Sequence, residues 1–202
     1  MNKSKKNIIK TNNTTRKNIE QKYYPNRLIG KGSYKNVYDL IPEKNKHEII
    51  DDTLTMEERE VMSVNIKGKK HMNMVLITPN KKQITKHDIK DFNKEFNLQQ
   101  EFSKKKLAPK VLIKKLKKID NTYKLFALTY RCDFNICNYD YLKIENKLKN
   151  LFDAVSKEGY IYTDIKKANL CEFNLVHKGR EKDIHFVFVD FDEKFIYKYD
   201  DF

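Results

Sequence analysis

Apolar positions recur along this chain at two periods, and the switches between them mark its elements. From Tyr24 to Ile29 and again from Asn36 to Ile41 the pattern is that of strands, with the glycines of the intervening turn making a predicted hairpin. Residues 43–60 are polar and locally acidic (Asp51, Asp52, Glu57, Glu58, Glu60) and read as an insertion with a short helix. Two apolar pieces follow, Val61 to Ile66 and Met72 to Thr78, split by Gly68-Lys69-Lys70, and are expected to pair as strands. Over 86–105 the period lengthens to that of a helix, through Ile89, Phe92, Phe96, Leu98 and Phe102. Thr85 or Asp88 is its predicted cap and Ala108-Pro109 its stop. Val111 to Ile119 and Tyr123 to Tyr130 return to strand character. Residues 141–157 are helical again (Tyr141, Leu142, Ile144, Leu148, Leu151, Phe152, Val155), with Gly159 as the stop. Leu170 to Val176 and Ile184 to Val189 form a predicted hairpin around Lys178-Gly179-Arg180. Residues 1–20 hold little besides Asn, Lys and Thr and are expected to be a disordered basic arm. This order predicts an α+β fold without internal repeats.

A chain of 202 residues, with 12 Tyr and 12 Phe, can bury a real core. Its net charge of +14 favours an acidic partner. The lysines are spread over the whole chain, however, and no motif joins basic to aromatic residues, so nucleic acid is disfavoured as a ligand. Cys132, Cys137 and Cys171 are odd in number and lack a C-x-x-C spacing, which predicts buried thiols in a reducing compartment. The five histidines, at 47, 71, 87, 177 and 185, show no ligand spacing. No stretch is long enough to span a bilayer, and Ile8-Ile9 is too short for a signal-peptide core. A cytoplasmic location is expected, in the chain's own cell or in a host's.

The chemistry sits in three short segments. Residues 159–170 read Gly-Tyr-Ile-Tyr-Thr-Asp-Ile-Lys-Lys-Ala-Asn-Leu and contain Asp164-x-Lys166-x-x-Asn169. Downstream, the apolar run Phe186 to Val189 ends in Asp190-Phe191-Asp192. Upstream, residues 29–38 read Ile-Gly-Lys-Gly-Ser-Tyr-Lys-Asn-Val-Tyr. Phosphoryl transfer uses such parts: a carboxylate that orients the attacking hydroxyl, a lysine by the moving phosphate, an amide and a carboxylate for magnesium, and a glycine-rich turn. In this order the segments resemble the catalytic loop, metal-binding loop and glycine-rich loop of the protein kinase-like superfamily. The resemblance covers about residues 24–195. The shortness of the chain and the stretch Glu95 to Leu112 resemble the very small, truncated kinases of large DNA viruses and bacterial effectors.

The resemblance implies a two-lobed fold: a β-rich N-lobe over 21–130, with 43–60 as an insertion, and a minimal, truncated C-lobe over 131–202. It implies ATP and Mg2+ as cofactors. Gly30, Gly32, Ser33 and Val37 would lie against the nucleotide, and Glu95 would pair with a phosphate-contacting lysine. Asp164 and Lys166 would be catalytic, and Asn169 and Asp190 would hold metal. The departures matter as well. Tyr162-Thr163 stands where the family has His-Arg, so regulation through a paired activation-loop phosphate is not expected. Asp192 replaces the glycine that follows Asp-Phe. At the family's usual spacing before Glu95 stands Leu76, which cannot pair, while Val64-Asn65-Ile66-Lys67 imitates the usual motif at the wrong distance. An insertion intervenes, another lysine substitutes, or the pair is missing. The expected activity is therefore phosphotransfer from ATP, with a protein Ser/Thr substrate favoured and a protein partner, acidic in character, expected. The alternatives are a pseudokinase serving as a binding module and, on the strength of Asp192, a small-molecule, lipid or sugar kinase.

Overall fold

The computed structural model describes residues 20–67, 74–119, 122–132, 141–166, 169–175 and 183–201. Its first half is a curled, six-stranded antiparallel sheet. The strands are β1 (Glu20–Lys31), β2 (Lys35–Pro42), β3 (Val64–Lys67), β4 (Met74–Pro79), β5 (Val111–Ile119) and β6 (Thr122–Tyr130), in the order β3-β1-β2-β4-β6-β5. Helix α1 (Met56–Val61) follows a 3-10 turn at Glu43–Glu48, and α2 (Lys86–Lys104) lies between β4 and β5. Beyond the sheet come α3 (Tyr141–Lys157), β7 (Tyr160–Tyr162), β8 (Leu170–Leu175), β9 (Asp183–Phe188) and β10 (Ile196–Lys198), with β7 paired to β10 and β8 to β9. The fold is α+β, as expected, and both hairpins and both long helices lie where the periodicity places them.

One pairing is corrected. Val61 ends α1 rather than opening a strand, and the two apolar pieces do not pair with each other. β3 joins the outer side of β1, whereas β4 runs between β2 and β6. The reason is burial on two faces. Met74 and Leu76 face one core with Tyr38, Phe126 and Leu128, and Ile77 joins the other with Phe92, Phe96 and Leu125. A strand apolar on both faces belongs in the sheet's interior. The predicted basic arm lies outside the described residues apart from Glu20, which opens β1.

The insertion is tied into the sheet by Arg59, a fully buried guanidinium on α1. It donates to the carbonyl oxygens of Pro25 (2.5 Å), Asn26 (2.6 Å), Leu54 (3.2 Å) and Asp51. Pro25 and Asn26 lie where β1 departs from regular pairing, so Arg59 takes up carbonyls that the ladder leaves over.

Helix α2 begins with a capping box. Thr85 accepts from Asp88 N (3.2 Å) and Asp88 accepts from Thr85 N (2.8 Å), so the two candidate caps act together. The helix stops before Ala108-Pro109, where Lys106 turns left-handed at φ 62°. Its buried face spans two cores. Phe92 and Phe96 pack on the sheet, and Phe102 packs with Leu151, Val155, Tyr160, Phe188 and Phe191. This is how one helix bridges the sheet and the C-terminal elements. The turn at Gly159, with φ +81°, closes α3 onto β7 as expected.

Cys132 and Cys171 are bonded to each other, with Cα atoms 5.6 Å apart, so the expectation of free thiols is corrected for this pair. They lie 39 residues apart in sequence, Cys132 just past β6 and Cys171 in β8, and share a small buried cluster with Val187. Cys137 lies outside the described residues. Among the described residues no helix is long and apolar enough to cross a membrane.

Candidate active site

The turn between β1 and β2 ends in Lys35, whose side chain lies on the α2 side of the sheet. Its Nζ forms an ion pair with Glu95 Oε1 and, at 3.0 Å, with Asp190 Oδ1. Glu95 belongs to the buried face of α2, one turn from Phe92 and Gln99. Three segments far apart in sequence thus meet at one cation. The side chains keep partial solvent access, 22% for Lys35, 13% for Glu95 and 32% for Asp190. Burial works against the Lys35 cation, but the charges of Glu95 and Asp190 prevail and raise its pKa. Burial raises Glu95, helped by the nearby charges of Asp190 and Asp192 and opposed by Lys35.

Asp190 is held from both sides. Before it, β9 buries Phe186 and Phe188; after it, Phe191 is fully buried with its ring 5.2 Å from that of Phe102 on α2. Tyr162 stacks on Phe188 at 3.9 Å and donates its hydroxyl to Asp190 O (2.9 Å). Burial, then the charge of Asp190, pushes the Tyr162 phenol up, so it stays a donor. Tyr162 is thus fixed between the Phe188 ring and the Asp190 backbone. Thr163 donates from both N (2.9 Å) and Oγ1 (3.1 Å) to Phe195 O, which seats the segment on the start of β10.

The Asp164 segment forms a second cluster. Lys166 Nζ donates to Asp164 Oδ2 (2.7 Å), as does Asn169 Nδ2 (2.6 Å), which also reaches Asp164 O (3.1 Å). Asn169 is buried, and its carbonyl accepts from Val189 N (3.1 Å), so it is joined by backbone to the residue before Asp190. The hydrogen bond from Lys166, reinforced by Asn169, holds the Asp164 carboxyl below its ordinary range. It is a carboxylate at neutral pH and a weak base, suited to orienting a hydroxyl.

The expected residues come together in these two clusters: Glu95 with Asp190, and Asp164 with Lys166 and Asn169. Among the described residues, the carboxylates Glu95, Asp164, Asp190 and Asp192 lie near the lysines Lys35 and Lys166. Among the described residues no group of three or more His, Cys, Asp or Glu is assembled for a metal. Magnesium does not need one. It keeps several waters and takes one or two carboxylates together with substrate phosphates. Hard oxygen donors and a partly exposed Asp190 fit that ion.

The lysine that pairs with Glu95 is what sequence spacing missed. Leu76 is fully buried with Tyr38 and Leu128, on the sheet face away from α2, so it could not have met Glu95 whatever its side chain. Lys67 is exposed on the edge strand β3, two strands from β2. Lys35 takes the place instead, and its signal was in view: a lysine where the glycine pattern has its third glycine. No protein-family model and no curated protein matches this chain.

Gly30, Gly32, Ser33 and Val37 surround the root of Lys35. Gly30 pairs with Val37 across the hairpin, and Gly32 N donates to Lys35 O (2.8 Å). A Cβ on Gly30 would meet Val37 at 3.5 Å and one on Gly32 would meet Lys35 O at 3.5 Å, both ordinary contacts. Neither glycine is required by the folded chain itself. A cavity of about 610 Å³ lies elsewhere, on the α1 side of the sheet beside Tyr38, Glu58, Thr78 and Lys124. Of the charges that line it, Lys124 pairs with Glu58, and Lys81 pairs with Asp88 beyond its wall.

Proposed function

We propose that this chain is an ATP- and magnesium-dependent phosphotransferase of protein kinase-like architecture, acting on a Ser/Thr hydroxyl of a protein. The sheet with α2 corresponds to a small lobe, and α3 to β10 to the start of a large lobe, with the nucleotide between them. The observation that carries the reading is Lys35, which reaches both Glu95 and Asp190 from the glycine turn. On this reading Lys35 contacts the nucleotide phosphates and Glu95 steadies it. Asp190 and Asn169 hold magnesium, which neutralises phosphate charge when bound. Asp164 orients the acceptor hydroxyl, and Lys166 offsets charge developing on the transferred group.

The pseudokinase alternative rested in part on the missing lysine, and Lys35 supplies a candidate for that lysine. The sugar- or lipid-kinase alternative drew its support from Asp192. That residue accepts from Lys194 N (3.0 Å) and caps the turn Glu193–Phe195, a local reason for an aspartate here. A protein acceptor or activating partner with an acidic surface suits the net charge of +14. The test is phosphate transfer from labelled ATP, to protein acceptors or to the chain itself. Asp164→Asn should abolish transfer and leave nucleotide binding near wild type, because Asp164 acts on the acceptor. Equal transfer by wild type and Asp164→Asn would refute the assigned role.

A further inference from the structure

The glycine turn is held by one residue that none of the sequence motifs includes. Asn80, directly after β4, donates from Nδ2 to the carbonyl oxygens of Gly32 (3.2 Å) and Ser33 (2.8 Å). Its backbone N–H donates to Tyr34 O (3.0 Å). Lys35 O is taken by Gly32 N. Every carbonyl from Gly32 to Lys35 is therefore engaged within the protein. This matters for an anion. Carbonyl oxygens repel phosphate oxygens, and a turn binds phosphate only when it offers N–H groups instead.

We propose that Asn80 is a positioning residue for phosphate binding, resting on the nucleotide reading above. Its three bonds keep the turn's carbonyls occupied on the β4 side. They also fix the point from which the Lys35 side chain sets out toward Glu95 and Asp190. Lys35 stands at the third glycine position, so the turn has one flexible residue fewer than the family pattern. The anchor for this less adaptable turn comes from the neighbouring strand. Asn80 acts on the part of the ligand that carries charge and leaves the base and ribose untouched.

The experiment compares ATP–Mg2+ with adenosine, which lacks phosphates, on full-length wild type, Asn80→Ala and Asn80→Asp. Asn80→Ala removes both side-chain bonds, and Asn80→Asp keeps the shape but replaces the donor with a carboxylate. Both variants should weaken ATP–Mg2+ by about tenfold, the equivalent of about 1.4 kcal/mol. Adenosine affinity and the ligand-free melting temperature should stay at wild-type values. Since Asn80 is exposed, neither variant disturbs a core. Wild-type ATP affinity in both variants would overturn the proposal while leaving the nucleotide reading intact. Equal weakening of ATP and adenosine would also overturn it, as the mark of a general loss of structure. No binding of either ligand by wild type would overturn the nucleotide reading and this proposal together.

Discussion

At the scale of single residues, the chain shows how charge pairing sets what each carboxylate can do. Glu60 makes the point outside the candidate site. Lys22 donates to its Oε1 and Lys46 to its Oε2 (3.2 Å), which pins the insertion to β1. The hydrogen bond from Lys22, against some opposition from burial, lowers the Glu60 pKa from 4.5 to about 2. The folded-state pKa is thus below the unfolded one. The native state gains stability that is fully present above pH 4.5 and is lost as pH falls toward 2. Glu60 is half exposed, so the contribution is small, about 0.2–1 kcal/mol for such pairs. Glu60→Gln should lower neutral-pH stability by that amount and flatten the dependence between pH 4.5 and 2, read by denaturant melts across pH. An unchanged slope would show that the pairing carries no net stability. Asp164 follows the same logic, its carboxyl lowered by the hydrogen bond from Lys166 and then by that from Asn169.

At the scale of elements, periodicity located nearly every helix and strand, because most bury one regular face. It failed where two faces are buried. β4 is apolar on both sides and takes an interior place that no local pattern reveals. The same limit hid the lysine. Counting back from Glu95 assumes that the partner lies on β4 facing α2, yet Leu76 faces the other core, and Lys35 reaches Glu95 from β2. Asp164, Lys166, Asn169 and Asp190 were legible because each lies in a short local motif. Asn80 was not, because its role depends on where β4 ends relative to a turn 47–48 residues away. The glycine turn gives a further prediction. A Cβ at Gly32 makes only an ordinary contact, so Gly32→Ala should leave melting within roughly the ±0.5 kcal/mol typical of surface changes. On the proposed reading its effect should fall on ATP–Mg2+ affinity, measured by titration, since a glycine there would allow close approach by a phosphate. A large loss of stability with unchanged affinity would mean that the glycine serves the fold.

At the scale of the whole molecule, α2 touches both the sheet and the C-terminal elements. It carries Glu95 toward the glycine turn and Phe102 toward Phe191. On the proposed reading Lys35, steadied by Glu95, meets the nucleotide phosphates, and Asp190 with Asn169 holds magnesium. The most direct measurement is the thermal stability of wild type, Lys35→Met and Lys67→Met, each with and without ATP–Mg2+. At ligand about 100 times its dissociation constant, wild type and Lys67→Met should both gain roughly 2.7 kcal/mol. Lys35→Met should gain far less at the same concentration, and wild type should gain less when magnesium is withheld. No stabilisation of wild type by ATP–Mg2+, or full stabilisation of Lys35→Met, would contradict the account.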